Sequence, residues 1–145
     1  MAQTDGGTST EDGGTRDAGS PIGGACETVG DCMFSVATNC RRETMDGGST
    51  GWAGGYCTAT CLVLIGFSCP DYAYCNNPGS LSLGTCEALC TNSGSGQSTC
   101  RPGYVCERLR SVDAGDNRGI CVRNCHNAAG ICGTTQTCNS LGYCN

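Results

Sequence analysis

Gly84-Thr85-Cys86-Glu87-Ala88-Leu89-Cys90 is the stretch on which the fold turns. It closes one group of cysteines with a Gly-x-Cys element and, three residues later, opens the next group. The same junction recurs at Gly55-Tyr56-Cys57 ahead of Cys61 and at Gly119-Ile120-Cys121 ahead of Cys125, and Gly142-Tyr143-Cys144 closes the last group. Outward from these junctions, all 16 cysteines fall into four copies of one frame. The copies are Cys26, Cys32, Cys40, Cys57; Cys61, Cys69, Cys75, Cys86; Cys90, Cys100, Cys106, Cys121; and Cys125, Cys132, Cys138, Cys144. A constant short junction between loops of variable length is what a tandem array needs. The expected organisation is therefore a segment 1–25 followed by cysteine modules at 26–60, 61–89, 90–124 and 125–145.

Composition agrees with a small disulfide scaffold. In 145 residues the apolar share is 38%, much of it cysteine, and glycine supplies 24 positions, so no single large core can form. Covalent bridges must stand in for hydrophobic burial, each contributing about 3 kcal/mol when it closes a loop of about fifteen residues. Such bridges persist in an oxidising compartment, which places the chain outside the cell or at its surface. Zinc is the competing use of so many thiols, and the spacing argues against it. There is no Cys-x-Cys or Cys-x-x-Cys, the Cys-x3-Cys pairs straddle module junctions, and His126 is the sole histidine. A net charge of -5, with no lysine, speaks against a nucleic-acid partner. The longest apolar run, Leu62 to Ile65, is far too short to span a bilayer. Met1 leads straight into polar residues, so an export signal is expected to have been removed.

Residues 1–25 are of low complexity: Asp5-Gly6-Gly7-Thr8 is repeated as Asp12-Gly13-Gly14-Thr15 and echoed by Asp17-Ala18-Gly19. With Ile22 as its one large apolar residue after Met1, the segment has nothing to bury and reads as a flexible tether. An Asp-Gly-Gly-Thr tract ahead of a cysteine array resembles the exported cysteine-rich lipoproteins and surface proteins of myxobacteria and related bacteria, in which such a tract follows the cleaved signal. The resemblance covers the tether and the general cysteine pattern, and it implies export to the cell surface.

Within a copy, Pro, Gly and Asp follow the second cysteine, and Tyr or Val precedes the third. Cys69-Pro70-Asp71-Tyr72-Ala73-Tyr74-Cys75 and Cys100-Arg101-Pro102-Gly103-Tyr104-Val105-Cys106 are the clearest examples. This order favours a tight turn and then extended chain. The third cysteine then lies on one strand of a hairpin and the closing cysteine on the other. Asn76-Asn77-Pro78-Gly79 starts the turn in the second copy, and Asp113-Ala114-Gly115-Asp116-Asn117 supplies it in the third. No window shows helical periodicity, so helix amounts to a turn or two at most. The expected fold is small and disulfide-rich, a tandem array of four short two-stranded β-hairpin modules with little or no helix.

Four cysteines allow three pairings within a copy. The favoured one joins first to third and second to fourth, because it crosses two bridges over one hairpin and resembles the first two bridges of EGF-like modules. It gives Cys26–Cys40, Cys32–Cys57, Cys61–Cys75, Cys69–Cys86, Cys90–Cys106, Cys100–Cys121, Cys125–Cys138 and Cys132–Cys144. The EGF likeness ends there, since the Cys-x-Cys and the acidic calcium signature of those modules are missing.

Catalytic signals are sparse. His126 follows Cys125 directly, where the two side chains of extended chain point apart, and no nucleophile elbow or phosphate loop is present. No cofactor and no metal is expected. Asp113, Asp116 and Asn117 offer too few oxygens for calcium and read as a turn. Arg101, Arg108, Arg110, Arg118 and Arg123 read as solvated strand residues, with an acidic glycan or the acidic tether as the alternative contact. The feature least expected of a solvated loop is Leu62-Val63-Leu64-Ile65-Gly66-Phe67, whose counterparts in the other copies are polar. It either packs on the first copy around Phe34, Val36 and Tyr56 or forms an interaction surface. That surface would comprise Leu62, Val63, Leu64, Ile65 and Phe67, together with Trp52, which sits among glycines with little local structure to pack against. The expected function is that of a non-enzymatic, exported, surface-associated structural or interaction protein that binds a protein partner or its own copies. The alternative is a soluble binder of a protein or glycan, such as a protease inhibitor presenting Arg41-Arg42 or Arg108 to Arg110.

Overall fold

A computed structural model describes residues 19–33, 35–62, 69–77, 83–91, 98–109 and 117–145. Among these residues the regular structure is one 3-10 turn, Val29–Asp31, and nine short strands. The strands are β1 (Asn39–Arg41), β2 (Thr44–Met45), β3 (Gly48–Ser49), β4 (Tyr56–Thr58), β5 (Thr60–Leu62), β6 (Ala73–Asn76), β7 (Leu83–Cys90), β8 (Tyr104–Arg108) and β9 (Gly119–Arg123). The expectation of short antiparallel hairpins with next to no helix holds.

The hairpin of each copy places its third and fourth cysteines directly opposite each other: Cys40 with Cys57, Cys75 with Cys86, Cys106 with Cys121, and Cys138 with Cys144. Opposed residues of an antiparallel pair project to the same face of the sheet. Both bridges of a copy therefore leave its hairpin on one side and reach back to the first and second cysteines. The eight bridges run Cys26–Cys40, Cys32–Cys57, Cys61–Cys75, Cys69–Cys86, Cys90–Cys106, Cys100–Cys121, Cys125–Cys138 and Cys132–Cys144. Their Cα separations, from 5.3 Å at Cys132–Cys144 to 6.0 Å at Cys26–Cys40, suit unforced bridges. Three sulfurs in each copy, such as those of Cys26, Cys32 and Cys40, come within 4.8 Å of one another. Because no cysteine is free, that proximity is the packing of two bridges, with no thiolate left over as a ligand.

In the second and third copies the Gly-x-Cys element lies on a strand that is paired on both sides. In the second copy Gly84 stands opposite Cys61 on β5, while Cys86 stands opposite Cys75 on β6. In the third, Gly119 stands opposite both Cys90 on β7 and Arg108 on β8. A Cβ on Gly84 would lie 2.7 Å from the Cys75 sulfur and 3.0 Å from that of Cys61, and one on Gly119 would lie 2.3 Å from the Glu107 carbonyl oxygen. In these two copies a side chain here would meet a sulfur of the first bridge, whereas at Gly55 and Gly142 it would meet the Cys26 backbone and the Asn124 side chain, so each copy lacks room at this place for its own local reason.

Through β7 the hairpins of the second and third copies merge into one sheet of order β5-β7-β9-β8, with β6 also paired to β7. The long loop of the first copy forms its own hairpin, β2 with β3, around Asp46 and Gly47. Both turn residues have positive φ, 51° and 80°, as a two-residue hairpin loop of the right twist demands. The core is largely sulfur: Cys26, Cys32, Cys57, Cys61 and Cys86 cluster with Ile22, Ala37 and Ala59.

Two features differ from the sequence reading. Residues 19–25 are held against the first copy: Gly23 donates to the Cys57 carbonyl at 2.8 Å, Cys57 donates to Gly24 at 2.9 Å, and Ile22 is buried. Within the segment expected to have nothing to bury, residues 19–25 thus pack on the first copy, with Ile22 against Cys26, Cys32 and Cys57. Contacts are also not confined to neighbouring copies, as a linear array would have them. The first copy packs on the third and fourth, with Asn127 donating to the carbonyls of Gly51 (3.1 Å) and Gly103 (2.7 Å). The expected turn residues Pro78, Gly79 and 113–116 lie outside the described residues.

Candidate binding cleft

The contact between the first and third copies is aromatic. Arg41 on β1 is opposite Tyr56 on β4, and Arg123 on β9 is opposite Tyr104 on β8, so each pair shares a face. These faces meet around Trp52, whose ring lies 5.1 Å from that of Tyr56 and 6.3 Å from that of Tyr104. Both guanidiniums lie over the indole, Arg41 at 4.5 Å and Arg123 at 4.9 Å from the ring centre. Arg123 also donates to the Thr50 carbonyl at 2.8 Å, which anchors the copy-one loop. Trp52 is half-buried, so the expectation that it lacks local packing is corrected. Its partners come from other strands and other copies, since its glycine neighbours have no side chains to offer.

The polar atoms beneath this cluster are satisfied in a way that ties the copies together. The Tyr56 hydroxyl accepts from the Ala88 amide at 2.8 Å and donates to the Cys121 carbonyl at 3.3 Å, so one oxygen joins three copies. The Tyr104 hydroxyl reaches the carbonyls of Ala53 at 3.1 Å and Gly55 at 3.0 Å, and Arg101 donates to both Gly55 and Gly23. Burial pushes the Tyr56 hydroxyl well above the ordinary tyrosine range and that of Tyr104 up to about 12, so both remain protonated donors.

Open to one side of this hub is a cleft of about 320 Å³. Arg41, Trp52, Glu87, Glu107, Arg123 and Tyr143 line it, and Gln136 stands at its edge with Glu107, both exposed. Glu87 is its buried acid. One carboxylate oxygen accepts from Arg41 at 3.3 Å and the other from the Asn76 amide at 3.0 Å. Burial nonetheless dominates, and the Glu87 carboxyl sits above its ordinary pKa, with the Asn76 and Arg41 donors pulling it back only in part. Arg123 is shifted the other way: burial, and then the nearby Arg41 charge, lower its pKa. The cleft thus combines an indole, a phenol, two guanidiniums and two carboxylates on walls supplied by all four copies.

The structure distributes the residues singled out from the sequence unevenly. Trp52 is in the cleft wall. Leu62 lies on β5, half-buried and opposite Leu83, whereas Val63, Leu64, Ile65 and Phe67 lie outside the described residues, as does Phe34. Arg101 and Arg123, expected among solvated strand arginines, turn inward onto copy one, while Arg108 and Arg118 are exposed and Arg110 lies outside the described residues. Arg41, offered as an inhibitory arginine, is held by Glu87 and Trp52. Glu87, Glu107, Tyr143 and Gln136 were not anticipated. Their signal, polar side chains next to or near cysteines, is too weak to separate from ordinary surface. Among the described residues no helix is long and apolar enough to cross a membrane. Compared with known protein families, curated proteins and solved structures, the chain matches none of them.

Proposed function

We propose that this chain is a non-enzymatic, exported, surface-associated binding protein that engages a protein partner through the cleft around Trp52. The observation that carries the reading is the Trp52 cluster itself. Trp, Tyr and Arg are the side chains that dominate binding energy in protein interfaces, and here Trp52, Tyr143, Arg41 and Arg123 line one cleft. The bridges hold these side chains in place before binding, which reduces the entropy lost on association. Eight bridges and no free thiol fit an oxidising, extracellular setting.

The test uses the cleft edge, where substitution spares the fold. Wild-type protein and a Glu107→Arg, Gln136→Arg variant are immobilised and exposed to detergent-solubilised surface proteins from the producing cell. A partner retained by the wild type and lost by the variant supports the reading; a partner retained equally by both rejects the cleft as its site.

A second reading, self-association, is favoured by β5. This strand ends the sheet path, carries Leu62 beside Leu83, which is 54% exposed, and leads directly into Val63-Leu64-Ile65-Gly66-Phe67. Sedimentation across a concentration series, with Leu64→Ser and Phe67→Ser as the comparison, decides it. Association that the double variant abolishes supports this reading, and a monomer at all concentrations removes it.

A further inference from the structure

We propose that the Cys125–Cys138 bridge is a thiol-exchange site, opened in preference to the other seven bridges by an external thiol, with His126 holding the released sulfur as thiolate. The inference is independent of what the cleft binds. Its first support is the position of the only histidine in the chain: His126 Nδ1 lies 3.5 Å from the Cys138 sulfur. The other imidazole nitrogen, Nε2, lies 2.9 Å from the Asn139 carbonyl oxygen, which can only accept, so in the neutral ring the proton is on Nε2 and Nδ1 presents its lone pair to the sulfur. The His126 amide is itself held by the Asn124 side-chain oxygen at 2.9 Å. While the bridge is intact, a disulfide sulfur has no hydrogen to offer this lone pair. Once it is reduced, the Cys138 thiol has one, and transfer to Nδ1 gives a thiolate beside an imidazolium whose Nε2–H still meets Asn139. A contact that is idle in the oxidised state and favourable in the reduced state shifts the bridge toward reduction.

The second support is the frame around the bridge. In the first three copies the third cysteine lies in a named strand, Cys40 on β1, Cys75 on β6 and Cys106 on β8, and Cys106 is 0% exposed. In the fourth copy the ladder is reduced to the isolated bridge of Cys138 with Cys144; Cys138 is half-buried, as Cys40 and Cys75 are, so what sets this copy apart is its weaker strand pairing. An external thiolate attacks the Cys138 sulfur, the Cys125–Cys138 bond breaks, and Cys125 takes the electron pair as thiolate. A second thiolate then attacks the external sulfur of the mixed disulfide and departs as the external disulfide, and Cys138 leaves as the thiolate held by His126. Two electrons pass from the two external thiols to the bridge; of the two protons those thiols release on forming the attacking thiolates, one goes to Cys125 and the other to His126 Nδ1, which then holds the Cys138 thiolate as an imidazolium. Gln136, at the cleft edge, lies on the loop this bridge closes, so exchange loosens one wall of the cleft.

The test is equilibration of the full chain in graded mixtures of reduced and oxidised glutathione, followed by acid trapping, alkylation and peptide mapping. Cys125 and Cys138 are expected to be alkylated at the least reducing poise. In His126→Gln the equilibrium constant for opening this bridge should fall about tenfold, roughly 30 mV for a two-electron couple, with the other seven bridges unmoved. A different bridge opening first in the wild type overturns the proposal. So does an unchanged constant in the variant, and so does a variant in which all eight bridges shift together, because His126 would then act on the fold and not on one sulfur.

Discussion

The ring of Tyr56 packs 5.3 Å from that of Tyr104, and this contact joins the closing strand of the first copy to the third-cysteine strand of the third. Disulfides stop at the copy boundary, where only the peptide chain continues, since each bridge lies within its own frame of four cysteines. What fixes the copies in one arrangement beyond their short junctions is therefore non-covalent, and these two phenols and the carbonyls they reach are part of it.

Tyr56→Phe should test that tie. The change keeps the ring and removes the hydroxyl, leaving the Ala88 amide and the Cys121 carbonyl without their partner. An orphaned buried polar group costs about 1–3 kcal/mol, so calorimetry should show a clearly lower unfolding midpoint while mapping still finds all bridges intact. A melt indistinguishable from wild type would show that the copies are held together elsewhere.

Glycine substitutions should divide sharply by position. Gly84→Ala and Gly119→Ala put a methyl against the Cys75 sulfur and the Glu107 carbonyl, and should yield scrambled bridges on oxidative refolding. Gly130 also has positive φ, 77°, but nothing lies within 4 Å of its added Cβ, so Gly130→Ala should cost only the left-handed penalty of about 1–2 kcal/mol and refold correctly. Equal refolding yields for the three variants would remove the bridge-crossing explanation of glycine at these two positions.

Arg101→Ala should loosen residues 19–25. The arginine donates to Gly23 and Gly55, and hydrogen bonds from a charged group contribute about 1.5–3 kcal/mol. Amide exchange at Gly23 and Cys57 should accelerate relative to β8 and β9, and unchanged protection there would contradict the role given to Arg101.

Glu87 makes stability depend on pH in a stated direction. Its folded pKa is raised by burial, so between its ordinary value and the raised one the folded state binds more proton than the unfolded state. Its contribution is complete below the ordinary value and is lost as pH rises through the raised one. Denaturant midpoints of wild type minus Glu87→Gln should therefore decline across that acidic window and then level off. A difference that rises with pH would mean that the Arg41 pairing outweighs burial.

The bridges and hairpins are legible in the sequence because they are local. Each bridge spans between 12 residues, at Cys132–Cys144, and 25, at Cys32–Cys57, and the Gly-x-Cys signal marks where each hairpin closes. Residue type and spacing narrow each partner to the same short frame, which leaves three pairings per copy, and the likeness to the first two bridges of EGF-like modules favours one of them. The cleft has no such signature. Trp52 among glycines reads as unsupported, and Ile22 in a low-complexity segment reads as having nothing to cover.

The sequence alone determined that four cysteine frames would close as four bridged hairpins. Only the tertiary structure decided how those hairpins are arranged, folding the first back onto the third and fourth so that Trp52, Arg41, Glu87 and Arg123 meet. The reason is physical: a bridge is chosen among a few cysteines nearby in the chain, whereas the Tyr56 hydroxyl and the Cys121 carbonyl lie 65 residues apart and find each other only once sheet twist and junction geometry have set the path between them.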